Sequence, residues 1–344
     1  MGSLISTIST NNRSEALSAT ADKETQTILY LKKKSLVSIG KGAFGKVYKA
    51  LGSDTDLAES ARKSAKKIEL AIKFFIPFQG VSSDESQLNE LYWNFEIQEI
   101  PNTPKVLYSD PSQDQQMAFI ITPYYGPDLR SQIGKLSIDD IEKIAKSLLE
   151  TLKALEEHGI IHGDINGKNI CFDGKNVTLI DFGSSLFILN SHKSCLITTS
   201  WYRAPEAVIQ VKNYTCAIDM WSLGCFLFEL YTGKALFPSR DENPITLMNT
   251  IVDKLGAPPP GFFLNSRFAE LPEFKELPSS YRSFLPTNDL DQMFKEKSDQ
   301  ETNWKNKRNA ENLLDLINKM ITYTDRITPQ EALLSHSFFN ERVY

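Results

Sequence analysis

The sequence is poor in sulfur and imidazole: 344 residues contain four cysteines and four histidines. Cys171, Cys195, Cys216 and Cys225 form no C-x-x-C pair. That argues against both a disulfide framework and a structural zinc site, and it points to a reducing compartment, cytoplasmic and/or nuclear. No apolar run approaches the ~18 residues that cross a bilayer, so no transmembrane segment is expected. The first thirty residues have no apolar core of a secretory signal. Excess positive charge is missing too. Lys and Arg number 38 against 43 Asp and Glu, a net charge of -5, which argues against nucleic acid as the main partner.

What is present suits a folded globular chain, with 41% hydrophobic and 24% charged residues. Residues 1–27 are rich in Ser, Thr, Asn and Ala without apolar periodicity and are expected to form a flexible tail. Short apolar runs follow, at Leu36–Ile39, Val47–Tyr48 and Leu70–Ile76, which read as strands. Over 137–158, Ile141, Ile144, Leu148, Leu152 and Leu155 recur at helical spacing, with Ser137 as N-cap and Gly159 as stop. A hairpin is predicted around Asp173-Gly174-Lys175-Asn176 and a buried helix over 217–232, ending at Gly233. Thr328-Pro329-Gln330-Glu331 carries the capping-box pattern. The expected fold is α+β: a small antiparallel strand lobe with one main helix, then a larger, mostly helical lobe.

Three stretches carry chemistry. Gly40-Lys41-Gly42-Ala43-Phe44-Gly45-Lys46-Val47 is a G-x-G-x-x-G-x-V run, whose small residues let a strand-turn-strand backbone close over phosphates. In a dinucleotide-binding fold the same glycines lead into a helix, whereas here β-branched and aromatic residues follow. Ala71-Ile72-Lys73 places a lysine in an apolar strand, which calls for anions nearby. ATP phosphates and a helix glutamate would supply them. Of Glu85, Glu90 and Glu96, Glu90 stands at a distance from the following Pro-containing turn that suits one helix. Lastly, Asp164, Asn169 and Asp181 flank the predicted hairpin in His162-Gly163-Asp164-Ile165-Asn166-Gly167-Lys168-Asn169 and Asp181-Phe182-Gly183. One carboxylate can accept a hydroxyl proton, while an amide oxygen and a second carboxylate can hold Mg2+ against phosphates.

With these motifs the chain resembles the eukaryotic protein kinases from about Leu31 to Phe339. The resemblance implies a domain over 28–344, with an N-lobe to about 122, a hinge at 123–127 and a C-lobe from 128. It implies ATP and Mg2+ as cofactors and serine/threonine residues of protein substrates as acceptors, with dual specificity open. Gly40, Lys41, Gly42, Ala43, Phe44, Gly45 and Val47 would cover the phosphates, and Lys73 would contact them while pairing with Glu90. Ala71, Thr122 (the gatekeeper), Tyr124 and Tyr125 would line the adenine site. Asp164 would be the catalytic base, with Asn169 and Asp181 the metal ligands. Thr199, Glu206, Asp219 and Arg326 would be structural or regulatory anchors. Trp201-Tyr202-Arg203-Ala204-Pro205-Glu206 and Ala217-Ile218-Asp219-Met220-Trp221-Ser222 are similar to segments of the CMGC group, specifically its DYRK and HIPK members. The stretch 256–286 sits where that group carries an insert.

The departures from the pattern matter as much. Gly163 replaces an arginine before the catalytic aspartate, Ser200 stands where many such kinases have another, and Leu196 holds the position of the activating tyrosine. Arginine forks grip phosphate, so their joint absence implies activity independent of activation-loop phosphorylation. Asn166 replaces the usual catalytic-loop lysine, and Lys168 is the candidate substitute. These departures keep a second reading open, a nucleotide-binding scaffold with little catalysis. Met1-Gly2-Ser3-Leu4-Ile5-Ser6 fits the N-myristoylation pattern at Gly2, but it is short, lacks a neighbouring polybasic run, and one acyl chain anchors weakly.

Overall fold

The computed structural model describes residues 36–42, 45–51, 69–75, 83–110, 119–188, 199–211, 213–239, 241, 243–264, 266–269 and 289–340. The expected tail, Gly2, Ala43, Phe44, Ser194, Leu196 and most of the 256–286 stretch lie outside them.

Five antiparallel strands form the small lobe: β1 (Val37–Gly42), β2 (Gly45–Leu51), β3 (Glu69–Phe75), β4 (Tyr108–Asp110) and β5 (Phe119–Pro123), in the order β1-β2-β3-β5-β4. Helix α1 (Ser83–Glu96) lies between β3 and β4 in sequence. Strand alternation sorts the side chains. Leu70, Ile72 and Phe74 of β3 join Ala50, Phe119 and Ile121 in one core layer. On the opposite face Phe75 packs with Leu91 of α1 and Ile120. Lys73 alternates onto that second face, towards the helix.

The large lobe begins with α2 (Ile138–Glu157). The Ser137 side chain accepts from the Asp140 N–H, and nine α2 residues are buried along its apolar stripe. Short strands follow: β6 (Ile160–Ile161), β7 (Ile170–Phe172), β8 (Val177–Leu179) and β9 (Leu186–Phe187). β7 pairs with β8 as the expected hairpin, and β6 pairs with β9. Then come α3 (Pro205–Val208), α4 (Ala217–Thr232), α5 (Pro244–Leu255), α6 (Asp289–Ser298), α7 (Trp304–Met320) and α8 (Pro329–Ser335).

Helix α4 is apolar all round because it is the central pillar, buried continuously from Ile218 to Tyr231 and closed by Gly233 at φ 77°. A Cβ at Gly224 would lie 2.9 Å from Met320 and Ile321 atoms, so a hydrogen side chain sets how closely α4 and α7 approach. The Thr328–Glu331 capping box is present on α8. No helix among the described residues is long and apolar enough to cross a membrane.

Candidate active site

The site lies where the β3–α1 face of the small lobe meets the β6–β9 region. Its upper half is built on charge. Lys73 Nζ lies 2.5 Å from Glu90 Oε1 and 3.2 Å from Asp181 Oδ1. The Glu90 side chain is 3% exposed and the Lys73 side chain 17%. Burial opposes the charge on Lys73, but the two carboxylates outweigh it and hold the ammonium above its ordinary range. Burial likewise raises Asp181, yet Lys73 pulls it net below the usual carboxylate range. The three groups form a fixed ammonium–dicarboxylate cluster.

Above this cluster the glycine hairpin is held in register: Gly42 pairs with Gly45, Lys41 with Lys46 and Gly40 with Val47, while Val47 pairs in turn with Lys73. Gly45 admits no side chain, since a Cβ there would sit 2.1 Å from the Phe74 carbonyl oxygen. Gly40 is less constrained, with Val47 atoms at ordinary contact distance. Ala71 pairs with Thr122 across β3 and β5, which places the small residue beside the predicted gatekeeper. Thr122 is buried, and its hydroxyl donates to the Pro123 carbonyl. The Tyr124 N–H donates to the Glu69 carbonyl, and the Lys49 ammonium sits 4.2 Å from the Tyr124 ring centroid. The Tyr125 hydroxyl accepts from the Lys105 N–H at 2.8 Å, so its polar group is committed to the turn after α1.

The lower half is built mostly from neutral groups. Asp164 Oδ1 accepts from Asn166 Nδ2 at 2.9 Å, from the Thr199 hydroxyl at 3.0 Å and from the Thr199 N–H at 3.2 Å. Its Oδ2 accepts from Asn169 Nδ2 at 2.8 Å. Asn169 Nδ2 also donates to the Asp164 carbonyl, which leaves Asn169 Oδ1 as an acceptor. Lys168 Nζ lies 3.5 Å from Asp164 Oδ2. Asp181 has φ 66°, in the left-handed region, and precedes a 3-10 turn over Phe182–Ser184. That strained residue is the one whose carboxylate meets Lys73.

The predicted anchors brace this arrangement. Asp219, buried in α4, accepts from the His162 N–H at 2.7 Å and the Gly163 N–H at 2.9 Å. Gly163 has φ 79°, where a side chain would be strained. Arg326 Nη2 donates to Glu206 Oε2 at 2.8 Å, Nη1 to Glu206 Oε1 and also to the Ala217 carbonyl, a forked and largely buried pair.

Two further residues of the site, His162 and Glu229, carry a signal in the sequence. His162 Nδ1 accepts from the Asp164 N–H, so Nε2 carries the proton and faces the Ile180 carbonyl, while the ring packs against Phe182 at 4.7 Å. It thus links the Asp164 and Asp181 segments. Glu229 is an acid inside the apolar α4 run, which demands a partner, and the Tyr202 hydroxyl donates to it.

The geometry fits a magnesium nucleotide. Among the described residues no cluster of three or more His, Cys, Asp or Glu forms a metal cage. Asp181 and Asn169 Oδ1 would offer the sparse oxygen set that Mg2+ takes when substrate phosphates complete its shell.

Comparison with known proteins shows the family of the chain. Residues 34–339 match the family described as protein kinase domain. The chain is 32% identical over 227 residues to the probable serine/threonine-protein kinase glkA of Dictyostelium discoideum, covering 64% of this chain and 44% of that one. To mitogen-activated protein kinase p38a of Drosophila melanogaster it is 28% identical over 321 residues, 89% of this chain and 78% of the relative. To mitogen-activated protein kinase 12 of Mus musculus it is 30% identical over 247 residues, covering 70% and 64%. The matched region spans less than half of the Dictyostelium relative. These relatives support the CMGC-like reading through mitogen-activated protein kinases and give no specific support to the DYRK and HIPK likeness.

Proposed function

The chain belongs to the protein kinase family, and on that premise we propose that it transfers the γ-phosphate of Mg-ATP to serine and threonine hydroxyls of protein substrates. The observation that carries this is the joint placement of two clusters, Lys73 between Glu90 and Asp181, and Asp164 between Thr199 and Asn169. Lys73 would hold the α- and β-phosphates beneath the glycine hairpin. Asn169 and Asp181 would hold Mg2+, which when bound supplies positive charge to the phosphates. Asp164 Oδ atoms would accept the acceptor hydroxyl's proton or orient that hydroxyl. Thr199 fixes the carboxylate through its hydroxyl and its N–H, the contact that favours serine/threonine over tyrosine acceptors. Ala71, Thr122, Tyr124 and Tyr125 would border the adenine, the last through backbone and ring, since its hydroxyl is engaged by Lys105.

Further parts of the reading rest on the sequence motifs. The kinase domain spans 28–344 with a hinge at 123–127. Within the CMGC group, the motif segments around 201–206 and 217–222 are the basis for a DYRK- and HIPK-like assignment, with dual specificity open. Activity independent of activation-loop phosphorylation rests on Gly163, Ser200 and Leu196 standing where phosphate-binding arginines and the activating tyrosine are absent. An intracellular location, cytoplasmic or nuclear, follows from the cysteine usage, and acylation at Gly2 is the one membrane contact proposed.

The scaffold reading draws on one observation: Asn166, 3% exposed, fills the place of the usual catalytic-loop lysine. Radiolabelled γ-phosphate transfer to generic protein acceptors separates the readings, together with nucleotide-induced shifts in melting temperature. Phosphoserine or phosphothreonine on the acceptor supports the kinase. A thermal shift without transfer supports the scaffold. Phosphatase treatment that abolishes transfer, restored by phosphorylation of the 188–200 segment, would overturn phosphorylation independence.

A further inference from the structure

A phosphotransfer loop has two tasks: it must orient its carboxylate, and it must bring positive charge to the moving phosphate. Here those tasks fall to different residues. We infer that Asn166 positions Asp164 and the loop backbone while Lys168 is the catalytic residue that supplies the charge, an assignment that rests on the phosphotransfer reading above.

Asn166 is fully engaged. Its Nδ2 lies 2.9 Å from Asp164 Oδ1, 3.1 Å from the Asp164 carbonyl and 3.4 Å from the Thr199 hydroxyl. Its Oδ1 accepts from the Lys168 N–H at 3.0 Å. Two amide hydrogens spread over three acceptors leave no donor for a phosphate, and the group carries no charge. What the amide does is bridge Asp164 to Thr199 and pin the backbone of residue 168. Gly167, between them, is closely packed: a Cβ there would meet the Phe226 ring at 3.3 Å and the Arg130 backbone at 3.6 Å. The lysine therefore leaves the loop from a fixed point.

Lys168 has the opposite character. Its side chain is 50% exposed, and its Nζ stands 3.5 Å from Asp164 Oδ2, the oxygen away from Thr199. Half-exposed ion pairs hold weakly, so the arriving dianionic γ-phosphate of the nucleotide can draw the ammonium off Asp164. That motion delivers the cation and uncovers the carboxylate in one step. Lys73 cannot substitute, being held between Glu90 and Asp181. Among the described ion pairs, Lys168 is the one cation on Asp164.

The test compares the 344-residue wild-type chain, Lys168→Met, Lys168→Arg, Asn166→Ala, the Asn166→Ala/Lys168→Met double variant and Lys175→Met, an exposed hairpin-turn control. The kcat and the KM for Mg-ATP are measured on one acceptor, alongside melting temperature. Loss of a single group that stabilises the transition state lowers kcat by about 10²–10³-fold, the drop expected for Lys168→Met with little change in KM. Lys168→Arg restores most of it, and Lys175→Met matches wild type. Asn166→Ala lowers kcat by roughly tenfold with a fall in melting temperature of a few degrees, and the double variant falls short of the product of the single effects because Asn166 acts through Lys168. A Lys168→Met enzyme within about threefold of wild type overturns the assignment while leaving the kinase reading intact. Multiplicative effects in the double variant overturn the positioning role of Asn166. Absence of transfer by wild type, with nucleotide still raising its melting temperature, removes the kinase reading and the assignment with it.

Discussion

The two halves of the cleft are held by different physics. Above, Lys73 sits between two carboxylates, one of them 3% exposed, so each charge depends on the others. Below, Asp164 is held by an amide, a second amide, a hydroxyl and an N–H, and its one cation is half exposed. Losing one partner should therefore be catastrophic in the upper cluster and graded in the lower, save at Asp164 itself. A buried ion left unpaired costs ~3–5 kcal/mol, whereas one of several hydrogen bonds to a carboxylate contributes about 1.5–3 kcal/mol.

Asp164→Ala gives the largest effect on turnover. Removal of a positioned acid–base group costs about 10²–10⁴-fold, and transfer should fall by that much while nucleotide still raises the melting temperature. Glu90→Ala comes next. It leaves the Lys73 ammonium with Asp181 alone and should lower stability by up to ~3–5 kcal/mol, read by urea unfolding. An effect below 1 kcal/mol would break the contrast between the halves. Thr199→Val removes one hydroxyl from Asp164 and keeps the N–H. A hydrogen bond to a charged group is worth ~1.5–3 kcal/mol, so kcat should drop by about ten- to hundredfold with stability little changed. Thr328→Ala sharpens the comparison from outside the cleft. Loss of the α8 cap should cost about 0.5–2 kcal/mol of stability and leave kcat unaltered.

Much of this frame was legible before folding because it is set by local rules. Ser137, Gly233 and the Thr328–Glu331 pair mark helix ends through side-chain and backbone preferences that need no tertiary context. Glu90 is favoured over Glu85 and Glu96 by its distance from the Pro-containing turn that follows, and the structure pairs it with Lys73. The rest depends on contacts distant in sequence. The left-handed backbone of Asp181 carries no glycine signal, since the strain is borne for the sake of its carboxylate. The bond from Lys105 to the Tyr125 hydroxyl joins two loops that no periodicity connects. Asn166 departs from the lysine of the motif, and the structure bonds it at both ends of its amide. The likeness to DYRK and HIPK rested on short segments around α3 and α4, which anchor the lobe and say little about subgroup.

The central claim is that the two clusters act together to move a phosphoryl group. The most direct measurement is transfer of radiolabelled γ-phosphate from Mg-ATP to myelin basic protein and a peptide library, by wild type and by Asp164→Ala side by side. The account predicts label on serine or threonine with wild type and its near-complete loss in the variant. Equal labelling by both proteins, or none by either, would contradict it.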